Sequence, residues 1–319
     1  MKNRIYIVIT IFVFCLLQSQ IGLPKEEVDI ESFINADLKN ELSPNLDRSA
    51  YRDNILKEKI RNADPQKLLA FLSNYDKNIS YLAQQKVLLY EVEIANLHPS
   101  SEIRQEVTHL LITSFFDPNS KMSRNAYEFL LSFTKDDFSA NTKKILHNAL
   151  SKKEPSGWVI KICGVANMQE ELPRLNELTM DEIGYINSKD FIKIATPFYL
   201  TTGWAARLAR ARMGVKEDII KCIKISESVK DPNERVLQLL PDIGYIRRPE
   251  AIEYLKEYLD GNGRLAPLDP GRPGIPVSSY ALDILAKSLK NFPDVWNGGK
   301  DIEFYRKWMS EQKEWQIIR

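Results

Sequence analysis

Apolar residues recur at helical spacing along most of the chain, and the pattern is clearest in residues 201–259. Trp204, Leu208, Ala211 and Met213 form one stripe that stops at Gly214, where a glycine can take the left-handed conformation that closes a helix. Ile219, Ile220, Ile223 and Ile225 line a return helix. Val236, Leu239, Leu240 and Ile243, followed by Gly244, repeat the scheme, and Ala251, Ile252, Leu255 and Leu259 form the second return. The two glycines, about 30 residues apart, predict one helical hairpin used twice. Helices this short do not persist alone, and one hairpin buries too little apolar surface to offset the entropy of ordering it. Each pair therefore requires a neighbouring pair on either side.

The same periodicity extends in both directions. Residues 20–63 are charged and weakly periodic, with one helix suggested by Ile30, Phe33, Ile34 and Leu38 and another by Ile55, Leu56 and Ile60; this part reads as a lead-in or cap. Asp64-Pro65 is a helix start, the Asp capping and the Pro in the first turn. From there helices follow one another to the end. Tyr81, Leu82, Val87, Leu88, Val92 and Ile94 mark a long one, and Ile103, Val107, Leu110, Leu111 and Phe115 mark the next, capped by Ser100 or Ser101. A pair over 120–133 and 138–150 turns Tyr127, Leu130, Leu131, Ile145, Leu146 and Leu150 inward.

Residues 156–178, SGWVIKICGVANMQEELPRLNEL, resemble the HEAT-like (armadillo-type) helical repeat family: Trp158, Ile160 and Ile162 lead to a turn at Gly164, and Leu172, Leu175 and Leu178 close the unit. Gly157-Trp158 is echoed by Gly203-Trp204, and Asp242-Ile243-Gly244-Tyr245-Ile246 by Glu182-Ile183-Gly184-Tyr185-Ile186. The resemblance covers residues 79–319, as about seven pairs at a period near 40. It implies an all-α fold, a right-handed α–α superhelix, over residues 64–319. The sequence departs from the repeat pattern in residues 188–200, which contain Pro197, and in residues 261–278, where eight of eighteen residues are Gly or Pro. At the C-terminus an aromatic helix is expected to shield the last repeat with Phe304, Trp308 and Trp315 packed inward.

Composition adds little field: 44 Lys+Arg stand against 43 Asp+Glu. The first residues follow another rule. Lys2 and Arg4 precede an apolar run over 5–17, too short to span a bilayer comfortably and suited to a secretory signal, with Ser19 the small residue at its end. Residues 1–19 are read as a signal peptide, with a retained anchor as the alternative, and membrane contact is expected only if they are retained. Their removal takes away Lys2 and Arg4, so the net charge of +1 falls by two, to −1. Export and this balance argue against nucleic acid as a partner. With Cys15 gone, Cys163 and Cys222 remain, expected as buried free thiols rather than a disulfide.

Candidate chemistry is sparse. His98, His109 and His147 lie in separate helices, and no CxxC, HExxH, GxSxG or phosphate-cradling glycine loop occurs, so neither metal nor cofactor is expected. Glu170-Glu171 and Asp181-Glu182 are carboxylate pairs better suited to helix starts than to acid–base work. Arg207, Arg210 and Arg212 are expected on an exposed face, paired with acids. The expected function is a non-enzymatic exported scaffold, periplasmic or extracellular, that binds a protein or peptide of the cell envelope through the concave face of its repeats. Arg207, Arg210, Arg247, Arg248, Tyr254, Arg264, Asp269 and Arg272 are the candidate contact residues. The alternatives are an enzyme resembling the HEAT-like bilin lyases, with a carboxylate site on that face, and a purely structural envelope protein.

Overall fold

The computed structural model of the chain describes residues 29–39, 49–74, 80–117, 122–179, 201–261, 263–265, 274–295 and 301–318. Residues 1–19, read above as a signal peptide, the 188–200 segment with Pro197, Asp181-Glu182, Asp269 and Arg272 lie outside them. The described residues are helical with no strand, apart from two isolated antiparallel bridges, Arg264 with Pro276 and Leu289 with Ile317. They form two compact units, Met1–Leu97 and His98–Arg319. No described helix is long and apolar enough to cross a membrane.

In the first unit, α1 (Ile30–Leu38), α2 (Ser49–Asn62), α3 (Pro65–Ser73) and α4 (Tyr81–Leu97) meet, with α4 touching the other three. The Asp64 carboxylate accepts from the Gln66 and Lys67 amides, so Asp64-Pro65 does open a helix. Asp37, at the end of α1, is buried and accepts from Tyr90 Oη and from Lys86 Nζ at 3.1 Å, which ties α1 to α4. Phe33, Ile34, Leu69 and Ile94 are buried, while Tyr81 and Leu82, which helped to mark the helix in the sequence, are about half exposed; α4 turns Ala83, Leu88, Tyr90 and Ile94 to the core.

α4 also buries Glu91, whose Oε2 has no hydrogen-bond partner. Burial pushes this carboxyl up to about 8, so it is neutral at physiological pH. Because the folded form holds the proton more tightly than the unfolded chain, this group makes stability highest in mild acid. That stability is lost as pH rises from about 4.5 towards 8, at up to ~1.4 kcal/mol per pH unit. Urea unfolding of the chain between pH 5 and 8 should show this slope in the first unit, and Glu91→Gln should flatten it; an unchanged slope would refute the assignment.

The second unit opens with α5 (Ser101–Phe116), capped by Ser100, and α6 (Ser123–Leu130). A 3-10 turn, Lys135–Asp137, carries a capping box at Thr134, and the Asp137 carboxylate accepts both Nε and Nη2 of Arg104 at 2.6 and 2.8 Å, fastening the turn to α5. Then follow α7 (Ala140–Leu150), α8 (Gly157–Val165), α9 (Leu172–Leu178), α10 (Thr202–Met213) and α11 (Lys216–Ser228). A turn at Pro232–Glu234, a π-helical stretch Arg235–Leu239 and α12 (Leu240–Ile246) run on from one another. Pro241 explains the π stretch, since it has no amide to give to the previous turn and its ring needs the wider spacing. α13 (Pro249–Glu257), α14 (Val277–Ser288) and α15 (Ile302–Glu311) complete the unit.

Contacts run in series: α8 against α10, α10 against α12, α12 against α14, with α9 and α11 on α10 and α13 on α12. α10 is therefore covered on several sides, which is why ten of its twelve residues are buried and why its arginines are not an exposed face. The glycines divide. Gly214 ends α10 with φ 104°, its amide and that of Val215 returning to Ala211 and Arg210 carbonyls. Gly244 lies inside α12, where a Cβ would strike Ile284, and the turn falls instead at Arg247, φ 50°. Gly164 likewise sits inside α8, against Ala209, and the turn falls at Asn167, φ 51°.

The C-terminal cap differs from expectation in register. α15 buries Tyr305 and Met309, whereas Phe304 is exposed; Trp308 packs edge-on against Phe292, and Trp315 gives its Nε1 proton to Glu253. The cover is extended by the tail, in which Lys290 N donates to Gln316 O and Ile318 N to Ser288 O. Residues 261–278 are pinned at their base, where Leu265 N donates to Ile275 O and Val277 N to Gly263 O. Cys163 and Cys222 are buried free thiols.

Candidate functional site: a cationic pocket at three helix ends

Three alternate helices, α8, α10 and α12, end in left-handed residues, Asn167, Gly214 and Arg247. Each end leaves carbonyls that its own helix does not satisfy, equivalent to roughly half a negative charge. Arginines answer those of α12 and α10. Arg212 Nη1 donates to Tyr245 O at 2.6 Å, and Arg248 donates through Nε and Nη2 to Arg212 O at 2.9 and 2.6 Å. Arg247 reaches Leu131 O and Ile318 O at 3.2 and 3.3 Å, and Gln169 Nε2 reaches Met213 O. Arg248 is extended, as the residue before Pro249 must be, and this swings its side chain back over α10.

These groups enclose a cavity of about 290 Å³. Lys135, Arg212, Arg247 and Arg248 line it, with Gly164, Val165, Asn167, Gln169 and Met213 between them. No carboxylate lines it among the described residues. Arg212 is 6 % exposed, its guanidinium lies 4.9 Å from the Tyr245 ring centroid, and its buried Nη2 has no hydrogen-bond partner. Burial, aided by the Arg248 charge, holds the Arg212 guanidinium below its ordinary value; burial and then the Arg212 charge do the same to Arg247, down to about 9. Both remain charged at neutral pH.

A buried polar core holds these helix ends in place. Asp242 of α12 accepts from Lys161 Nζ of α8 at 2.7 Å and from Trp204 Nε1 of α10 at 2.6 Å, so one carboxylate ties three helices. Burial opposes the Lys161 charge, but Asp242 outweighs it and raises the ammonium above its ordinary value. Lys161 lies 4.7 Å from the Tyr245 ring, and Tyr245 Oη donates to Lys161 O at 2.6 Å. Burial raises the Tyr245 phenol and the Cys163 thiol, leaving both protonated.

Of the residues the sequence singled out, the pocket brings together Arg247 and Arg248. Arg207 and Arg210 share the buried Asp218, and Arg210 also bonds Asn176. Tyr254 is buried and donates to Ser226 Oγ at 2.9 Å, and Arg264 spans the loop base to Gly274 O at 2.7 Å. The expectation of an exposed arginine face on α10 is thus corrected: Arg207 and Arg212 are buried, and only Arg207 and Arg210 have the acidic partner expected. Lys135 was missed, and nothing near it in sequence points to residues more than a hundred positions away. His147 pairs with Glu171, and no group of three or more metal-ligating side chains occurs among the described residues. In the first unit an open cleft of about 870 Å³ has walls of mixed sign, including Glu31, Lys39 and Lys67, without comparable convergence.

Fold and site together define an all-helical protein with a preformed cationic pocket. No protein-family model matches the chain, and no characterised protein matches it.

Proposed function

We propose that the chain is an exported HEAT-like helical-repeat protein, a right-handed α–α superhelix that binds a protein or peptide partner and performs no chemistry of its own. The serial packing of α8, α10, α12 and α14 supports the repeat reading, because stacked pairs contact only their neighbours. The observation that carries the binding reading is the pocket. Its arginines are held at fixed positions by backbone carbonyls, and Arg212 also by the Tyr245 ring, which suits recognition.

A photo-crosslinking residue at position 135, on the pocket rim, should give a discrete protein or peptide adduct in the envelope fraction. One at Ile220, half exposed on α11, should not. Equal labelling from both positions, or substrate turnover by the purified chain that Glu171→Gln abolishes, would overturn the proposal. The secreted chain should begin after Ser19.

A further inference from the structure

We infer that the surface beneath residues 312–318 is where an extended peptide of the partner docks, and that the chain's own segment occupies it in the free protein. This rests on the reading that the chain binds a protein or peptide, and it adds the place and the chemistry. The argument begins with a backbone edge. α14 ends at Leu289, which is extended, so the Ser288 carbonyl and the Lys290 amide are left for another segment to pair with. Residues 316–318 take both: Lys290 N donates to Gln316 O at 2.7 Å, and Ile318 N donates to Ser288 O at 2.9 Å, with Leu289 and Ile317 paired between them. Ile317 is buried and Trp315 half-buried, with exposed Gln316 between, the alternation of a segment laid along a surface. Trp315 Nε1 donates to Glu253 at 2.8 Å, and its ring lies under Lys256 at 5.7 Å. Main-chain bonds along an edge, with side chains seated two residues apart, are how sheet edges take up foreign peptides. The peptide that fits carries an aromatic N–H donor two residues before a β-branched aliphatic.

Arg247 adds a second observation. It stands in the left-handed region, φ 50°, where glycine is the favoured residue, and it is buried, so this position bears both backbone strain and the desolvation of a charge. One arm of its guanidinium ties to Leu131 O; the other donates to Ile318 O at 3.3 Å, a main-chain acceptor that any extended peptide supplies. The hold on the chain's own segment is thin. Its one fully buried side chain is Ile317, and the pairs Trp315–Glu253 and Gln316–Asn291 lie at exposed positions, where such bonds contribute least. Lys313, Glu314 and Gln316 are exposed. A segment held in this way opens locally well before its unit unfolds. The competing account is a permanent cover for the last helices, which predicts no exchange with a peptide added in trans.

The test is fluorescence-anisotropy titration of the full chain with a labelled peptide that has the sequence of residues 312–318. In the unaltered chain the peptide competes with a tethered copy of itself, at an effective concentration on the order of millimolar, so binding should be weak. Ile317→Asp in the chain puts a charge where the segment is buried, releases it, and should tighten peptide binding at least about tenfold. Trp315→Ala, at a half-buried position, should tighten it about three- to tenfold, and it serves as the released chain if the first variant does not fold. In the Trp315→Ala chain, adding Glu253→Ala should weaken binding of the peptide about threefold or more and leave the Trp315→Phe peptide, which has no indole N–H, unaffected. No binding to the released chains, the same affinity for released and unaltered chains, or equal effects of Glu253→Ala on both peptides would overturn the inference. A protein adduct at position 135 without peptide binding here would leave the partner reading standing and remove this site. Peptide binding here without an adduct would keep this site and remove the pocket rim as the point of contact.

Discussion

Replacing Asp242 by alanine should cost ~3–5 kcal/mol, the range for removing one partner of a buried ion pair. The carboxylate neutralises Lys161, which is 5 % exposed, and accepts the only polar hydrogen of Trp204, which is fully buried. Its loss leaves the buried Lys161 ammonium without its carboxylate. For a unit of this size each kcal/mol is worth about 2–4 °C in Tm, so a fall of roughly 10 °C is expected. The control separates charge from packing: in the Asp242→Leu background, Lys161→Met should restore stability, because removing both charges is far less costly than removing one. Additive losses in the double variant would mean that the pair is not coupled and that something else joins α8, α10 and α12.

The second large effect is expected at Gly164. An alanine there gains helix propensity, at most about 1 kcal/mol. Against this, its Cβ would fall on the Tyr245 hydroxyl and 2.9 Å from Ala209 Cα, and the second obstacle is backbone, which cannot rotate aside. Overpacking costs ~1–3 kcal/mol, and the displaced Tyr245 also loses its 2.6 Å bond to Lys161 O, worth about a further 0.5–1.5 kcal/mol. The clash should win, lowering Tm by several degrees. Gly244→Ala provides the comparison, since its obstacle is the Ile284 Cγ2 methyl, a side-chain end that can shift, and its loss should be smaller. The reverse order would show that α8 and α10 are not held at this close approach.

The helices, their apolar stripes and the Asp64-Pro65 and Ser100 starts were legible because they depend on neighbours within a turn or two. What failed depends on distant packing. Gly164 and Gly244 read as turns, yet their lack of a side chain serves the close approach of α8 to α10 and of α12 to α14, and the left-handed positions go to Asn167 and Arg247. Arg207 and Arg212 read as surface because arginine usually is; on a helix covered by several others they had to find Asp218 and a carbonyl inside. The tail of the chain shows the same limit, since Phe304 and Tyr305 are adjacent and only packing chooses which points in. Within the site, Arg247-Arg248 could be found as a charged dipeptide at a turn. Arg212 and Lys135 could not be joined to it without the fold.

The ends of α8, α10 and α12 meet in one preformed cationic pocket because Asp242 ties the three helices together. Hydrogen exchange of the full chain and of its Asp242→Asn variant tests this most directly. Protection should fall together in three segments far apart in sequence, around residues 163–169, 211–215 and 245–249, and stay unchanged in residues 29–97. Loss confined to α12, or spread equally over residues 29–97, would contradict it.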